Sequence, residues 1–285
     1  MTEQRNVVIT GANTGIGLEA AVALATLGDR VVIACRNQEK AAVALAEIRR
    51  RSQGDVESIP LDLSSFESIR AAASDLAVRT PALDVLINNA GGILSRHATT
   101  VEGFEMQFGV NHLGHFLLTT LLEGQIKAAS APRVITLSSL GHWGAVGGLK
   151  WDNLQLDRWY NGWKAYFRSK LANLMFSQEL ARRWKADNVI SHAVHPGSVH
   201  TDFGQTGDTT GFSGLLMKGA GLVTITPSEG AKTSVFVATS PVAGDESGLY
   251  WSKCAPARTA PWARHPAEDR RLWEVSEGYV EAGHP

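Results

Sequence analysis

From its first residues the chain alternates short β-branched runs with longer helix-like runs, and this rhythm calls for a parallel sheet covered by helices on both faces. Residues 7–10 read as a strand and 18–27 as an Ala-rich helix stopped at Gly28. Strands follow at 30–35, 56–61 and 83–88, separated by helices over 39–51 and 65–78. The second half continues with a helix across 101–122, a strand at 133–138, a helix over 160–185, a strand at 189–194, a helix over 228–238 and a strand at 248–252. No low-complexity linker or charge block divides the series. The expectation is a single α/β domain spanning residues 1–285, a Rossmann-type doubly wound parallel sheet of about seven strands. Two segments interrupt the rhythm, 141–159 and the Gly- and Thr-rich 204–226. Both follow the C-terminal ends of strands, where open α/β sheets bind ligands, and they are the expected substrate pocket and its lid.

Charge narrows the partners. With 27 basic against 28 acidic residues the net charge is -1, which gives no electrostatic reason to bind nucleic acid or an anionic membrane. Small molecules are the expected partners. Only Cys35 and Cys254 are present, no signal peptide opens the chain, and no apolar run approaches the roughly 20 residues that span a bilayer. A reduced, soluble, cytoplasmic protein without a membrane anchor is expected.

The first strand runs directly into Gly11-Ala12-Asn13-Thr14-Gly15-Ile16-Gly17 and then a helix. Glycines let the chain turn sharply and approach a ligand, and a helix N-terminus offers unpaired N–H groups to phosphate, so a pyrophosphate fits against this turn. The spacing G-x-x-x-G-x-G lacks the Lys-Ser/Thr of an ATP- or GTP-binding loop. An acidic residue at the end of the second strand would bind the free ribose hydroxyl of NAD, but the chain reads Ala34-Cys35-Arg36-Asn37. Arg36, with Asn37 beside it, instead suits a 2′-phosphate, and NADP(H) is the expected cofactor over NAD(H). Asp62, followed by Leu63 at the end of the third strand, either accepts a hydrogen bond from the adenine amino group or caps the next helix, where Ser64 and Glu67 already form a capping box. After the fourth strand, Asn88-Asn89-Ala90-Gly91 lets backbone come close to the cofactor while amide side chains tie the loop to its neighbours.

Tyr166 and Lys170 lie four residues apart on one helical face. A free tyrosine titrates near pH ~10, and an adjacent ammonium favours phenolate, so Tyr166 becomes an acid or base usable at neutral pH. Ser139, after the fifth strand, is placed to bind the same substrate oxygen. Tyr160 and Lys164 share the spacing. The small and apolar residues Ser169-Lys170-Leu171-Ala172-Asn173 nevertheless suit packing on a cofactor, whereas 159–163 reads as the start of a helix.

Taken together, the phosphate turn, Asn88-Asn89-Ala90-Gly91, Asn111, Ser139, the Tyr166–Lys170 pair and Pro196-Gly197 closely resemble the short-chain dehydrogenase/reductase superfamily over nearly the whole chain. Ala34-Cys35-Arg36-Asn37, Asn111-His112-Leu113-Gly114-His115-Phe116, Ser169-Lys170-Leu171-Ala172-Asn173 and Val194-His195-Pro196-Gly197 resemble its retinol dehydrogenase, WW-domain oxidoreductase and protochlorophyllide reductase branch. The resemblance implies a catalytic tetrad of Asn111, Ser139, Tyr166 and Lys170. In it Asn111 distorts its helix and holds a proton-relaying water, and Lys170 also binds the nicotinamide ribose. Pro196, Gly197, Val199 and Thr201 would line the nicotinamide side. Animal retinol dehydrogenases usually carry a membrane anchor, from which this sequence departs. The implied reaction is hydride transfer between nicotinamide and a carbonyl or alcohol. A non-catalytic NADP(H)-binding redox sensor is the alternative, and helices on the outer faces leave a homo-oligomer open.

Other features point to packing. His192 and His195 face opposite sides of a strand, and His112 with His115 lacks a third ligand, so no metal is expected. Trp143, Trp151, Trp159 and Trp163 either wall the substrate pocket or simply pack. No G-x-S-x-G elbow supports a serine hydrolase.

Overall fold

A computed structural model describes residues 4–52, 54–197 and 225–285. The first half runs β1 (Asn6–Thr10), α1 (Gly15–Thr26), β2 (Arg30–Cys35), α2 (Gln38–Ser52), β3 (Val56–Pro60), α3 (Phe66–Arg79) and β4 (Val85–Asn88). A short α4 (Met106–Phe108) passes through a π-helical turn, Gly109–Leu113, into α5 (Gly114–Leu121), followed by α6 (Glu123–Lys127) and β5 (Arg133–Leu137). Next come α7 (Gly162–Arg183), β6 (Ile190–His195), α8 (Pro227–Thr239), β7 (Tyr250–Ser252), β8 (Ala255–Pro256) and α9 (Pro266–Ala282).

The strands form one sheet in the order β3-β2-β1-β4-β5-β6-β7-β8, parallel throughout except for the last pair. Alternation along each strand feeds two cores. Val8, Val32, Leu86 and Val134 point into the core shared with α3, α5 and α7, while Val7, Ile9, Val31, Ile33, Ile87 and Ile135 point into the one shared with α1, α2 and α8. Burial on both faces is why these strands read as nearly unbroken apolar runs. The chain order reverses at β1, which lies between β2 and β4. A crevice beyond the carboxyl ends of β1 and β4 is therefore where such a sheet takes a ligand.

Three differences from the sequence reading stand out. Among the described residues the sheet has eight strands, because β7 turns back into the two-residue β8 along the edge. The helix expected across 101–122 begins only at Met106, where the buried Glu105 carboxylate accepts the N–H groups of Gln107 and Phe108. The third is α9, which the sequence reading omitted although its signals are ordinary ones: Pro266 in the first turn, Glu268 and Asp269 beside it, and Gly283 as a left-handed C-cap.

Helix α9 completes the core over α5 and α7. Trp273 places its ring 5.0 Å from Phe116 and 5.9 Å from Phe176, under the Arg183 guanidinium. Arg182 pairs with the buried Asp269, and the His112 Nε2 meets the Ser276 hydroxyl at 2.9 Å. Trp273→Ala is expected to cost about 3–5 kcal/mol of stability, read from the midpoint of urea unfolding. A loss under about 1 kcal/mol would show that α9 is not integral to the core.

Candidate active site

The glycine turn is built by close approach. Gly11 has φ +66°, and a Cβ there would stand 2.9 Å from the Cα of Ala90. A Cβ on Gly17 would stand 2.5 Å from the Asn89 side-chain nitrogen. Asn89 Nδ2 donates to the carbonyl of Thr10 at 2.7 Å, and the Thr10 hydroxyl accepts the N–H groups of Asn89 and Ala90 at 2.9 Å each. Asn88 Nδ2 donates to the Thr119 hydroxyl at 3.0 Å. The turn through Asn13 and Thr14 is thus clamped to the segment Asn88-Asn89-Ala90-Gly91. Thr14 is the N-cap of α1, yet its side chain makes no capping bond and the first turn, which holds Gly15, Ile16 and Gly17, has no acidic residue. The N-terminal amides keep their appetite for an anion.

Arg36 and Asn37 are exposed beyond β2. Asn37 Oδ1 accepts the N–H of Lys40 at 2.8 Å and starts α2. Asp62 Oδ1 accepts both the N–H (2.9 Å) and the hydroxyl (2.6 Å) of Ser64. The N-cap of α3 is Ser65, whose hydroxyl accepts the Ser68 N–H, while Glu102 accepts the Phe66 N–H. The Ser64–Glu67 capping box is therefore corrected to a Ser65 cap, because Asp62 has already turned Ser64 toward itself. Leu63 is buried, with its carbonyl against Gly114.

The four residues of the expected tetrad come together beyond β4 and β5. Ser139 caps a 3-10 turn, Leu140–Gly144, its hydroxyl accepting the Gly141 N–H at 3.0 Å. Glycine brings that turn onto α7: a Cβ on Gly141 would sit 3.1 Å from the Tyr166 ring, and one on Gly144 would sit 2.4 Å from the Phe167 ring. Burial raises the Tyr166 phenol above its ordinary range, and the Ser139 hydroxyl works against that rise. Lys170 donates its Nζ to the Leu137 carbonyl at 3.0 Å, lies 5.7 Å from the centre of the Tyr166 ring, and is pushed down by burial to about 8. The Lys170 ammonium was expected to lower the Tyr166 phenol. In this arrangement it turns to a backbone carbonyl instead, and Ser139 supplies the lowering.

Asn111 occupies the π-helical turn. Its Nδ2 donates to the Gly92 carbonyl (3.0 Å) and the Ser169 hydroxyl (2.9 Å), and its Oδ1 accepts the Gly92 N–H at 2.9 Å. A Cβ on Gly91 would stand 2.9 Å from Asn111 Oδ1 and 3.5 Å from Lys170 Nζ. These contacts draw Gly91, Asn111 and Lys170 into one locality at the head of the crevice.

Tyr160 has different work. Its hydroxyl donates to the Leu94 carbonyl at 3.2 Å and accepts from Gln107 Nε2 at 3.0 Å, and burial pushes it up to about 12. Gln107 also donates to the Gly162 carbonyl at 3.0 Å, so this network anchors the start of α7. Glu105, Gln107 and Tyr160 were not picked out together by sequence reasoning, since distant polar residues carry no joint pattern. Nor were His142 and Tyr250. His142 Nδ1 donates to the Ser139 carbonyl at 2.6 Å, and its Nε2 accepts the Ala260 N–H at 3.1 Å. Tyr250, its ring 4.9 Å from His142, has its phenol raised first by burial and then by Tyr166.

Pro196 and Gly197 follow β6, and Gly197 has φ +92°. Val199, Thr201 and nearly all of 204–226 lie outside the described residues. The four tryptophans divide: Trp159 is 93% exposed, Trp151 donates to Glu268 at 2.7 Å, Trp143 stands 6.4 Å from Trp262, and Trp163 is edge-on to Tyr166 at 6.4 Å. Only Trp163 borders Tyr166 directly. His192 is held by the Ala243 carbonyl and the Leu249 N–H. No group of metal-ligating side chains occurs among the described residues, and none of their helices is long and apolar enough to cross a membrane.

Residues 5–151 match the family model for short chain dehydrogenase. Human retinol dehydrogenase 14 is 40% identical, with the match covering 97% of this chain and 86% of that protein. Human retinol dehydrogenase 12 is 42% identical over 95% of this chain and 84% of its own length. Among solved structures, an uncharacterized protein from Mycobacterium Paratuberculosis is 34% identical with TM-score 0.79, covering 98% of this chain and 94% of that one. The Pseudomonas aeruginosa RhlG/NADP active-site complex is 25% identical with TM-score 0.71, covering 87% and 94%. With this fold, this cluster and these relatives, the chain belongs to the short-chain dehydrogenase/reductase superfamily, in its retinol dehydrogenase branch, and is an oxidoreductase of a nicotinamide-dependent family.

Proposed function

We propose that the protein transfers a hydride between NADP(H) and the carbonyl or alcohol carbon of a small apolar substrate, with Tyr166 as acid in reduction and base in oxidation. The observation that carries this reading is the convergence of Ser139, Tyr166, Lys170 and Asn111 beside the glycine turn. When bound, the nicotinamide supplies or takes the hydride. Gly11, Asn13, Thr14, Gly15, Ile16 and Gly17 would hold the pyrophosphate on the uncapped end of α1. Arg36 and Asn37 would take the 2′-phosphate, Asp62 and Leu63 would border the adenine, and Asn89, Ala90 and Gly91 would form the wall nearest the ring. Pro196 and Gly197 would flank the nicotinamide.

In reduction, the substrate oxygen rests between the Ser139 and Tyr166 hydroxyls and takes the Tyr166 proton as negative charge develops. Burial keeps that phenol protonated at neutral pH, which suits an acid. Lys170, protonated below about 8 and held by the Leu137 carbonyl, would bind the nicotinamide ribose, while the Ser139 hydroxyl is the group that favours the phenolate left behind. Asn111 fixes Gly92 and Ser169 around this pair and offers the π-turn backbone to a proton-relaying water. The apolar substrate class draws support from the retinol dehydrogenase relatives and from Trp163 beside Tyr166. Retinal therefore belongs in the substrate panel with shorter aldehydes and ketones.

Cofactor choice provides the first test. Arg36→Ala removes a charge-assisted bond to phosphate, so the Kd for NADPH should rise about ten- to hundredfold while that for NADH changes less than about twofold. Fluorescence titration of both nucleotides measures this. Equal weakening would reject the 2′-phosphate contact, and absence of binding by either nucleotide would reject the function.

A further inference from the structure

His115, on α5 one turn beyond Asn111, is a buried histidine to which the mechanism above gives no task. It is 1% exposed. Its Nδ1 lies 3.0 Å from the main-chain oxygen of Asn111, and its Nε2 lies 2.8 Å from the Thr10 hydroxyl. A carbonyl can only accept, so Nδ1 carries the ring proton. Burial disfavours a second proton, with Lys170 adding to the effect, and Nε2 is left as an acceptor. Thr10 has one proton and two acceptors in reach, and it donates to His115 at 2.8 Å in preference to the Ile87 carbonyl at 3.5 Å, while its oxygen accepts the N–H groups of Asn89 and Ala90.

These assignments make one directed chain. It starts at the Asn89 and Ala90 amides, passes through the Thr10 hydroxyl and both nitrogens of the imidazole, and ends on the Asn111 carbonyl. One end belongs to the clamp around the glycine turn, and the other to the π-helical turn whose Asn111 side chain holds Gly92 and Ser169 beside Lys170. An imidazole is suited to the span because it donates at one edge and accepts at the other.

We infer that His115 is a positioning residue for the reaction, joining the dinucleotide-binding turn to the Asn111 turn so that cofactor seating and tetrad geometry are set together. This rests on the functional reading above.

Two conservative variants separate the arms. In His115→Asn the amide nitrogen takes the place of Nδ1 and keeps the bond to Asn111 but not that to Thr10. In His115→Gln the amide oxygen reaches the place of Nε2 and keeps Thr10 but not Asn111. With NADPH fluorescence for binding and the fastest aldehyde of the panel for turnover, His115→Asn should weaken NADPH about tenfold and hold kcat within about threefold. His115→Gln should do the reverse, lowering kcat about tenfold with NADPH affinity within about threefold. A histidine that merely fills the core would move both quantities together in both variants. That result, or two variants indistinguishable from wild type, would overturn the positioning role. Wild-type protein that binds no nucleotide and reduces nothing would instead overturn the functional reading beneath it.

Discussion

Tyr166→Phe is expected to lower turnover by about 10²–10⁴-fold while leaving NADPH affinity within about twofold. The substitution deletes one oxygen and keeps a ring that packs against Gly141, Phe167 and Trp163. The fold and the nucleotide turn should not register it. The reacting oxygen does, because its proton donor is gone and the remaining hydroxyl, that of Ser139, is far more weakly acidic than a phenol. Residual activity then measures what orientation and the Ser139 hydrogen bond supply without proton transfer. Single-turnover reduction of the best aldehyde, followed by NADPH absorbance, isolates the chemical step. Unchanged turnover would remove Tyr166 from the chemistry. A parallel loss of NADPH binding would make it a structural prop. The companion change Lys170→Met should weaken NADPH and, by loosening the nicotinamide ribose beside Tyr166, lower turnover as well, whereas Tyr166→Phe spares binding.

The parts of this site that could be read in the sequence are those carried by local pattern. The strand running into Gly11–Gly17, and the Tyr166–Lys170 spacing on a helix, each state a geometry within a few residues, and the sheet order then brings them together. Asn111 was reached only through resemblance, because nothing in its own neighbourhood announces a π-helical turn. What escaped depended on partners far away in the chain. The capping of α3 passed from Ser64 to Ser65 because Asp62 takes Ser64 and Glu102 takes the Phe66 N–H. Lys170 turns to Leu137 for a hydrogen bond that only β5 can place. The two-residue β8 has no periodicity to detect, whereas α9 carries its Pro266 start, its Gly283 stop and its buried Leu272, Trp273 and Val280 in plain order. His115 reads in the sequence as a structural histidine, and the partner that suggests more, Thr10, lies 105 residues away.

Acid should unfold this protein well before its carboxylates are fully protonated, because it carries buried neutral histidines. Burial is the first cause in each case, holding His112 down to about 3 and His115 and His195 to about 4. The same rings in the unfolded chain titrate near 6.5. Between these limits the unfolded state binds more protons, so stability is intact above pH 6.5 and falls as the pH drops toward 4, by about 1.4 kcal/mol per pH unit for each ring. The opposing groups are Asp269, raised by burial to about 6, and Glu105, raised by burial in the same direction. Asp269 counters with one proton over a narrower window, and its shift is already restrained by Arg182, so three histidines prevail. Urea midpoints at pH 7, 5.5 and 4.5 should fall steadily. His112→Phe should flatten the slope by about 1.4 kcal/mol per pH unit whatever it does to absolute stability, because only the titrating ring is removed. A flat profile, or a slope unaltered by that substitution, would mean that these rings accept protons in the folded state as readily as in water.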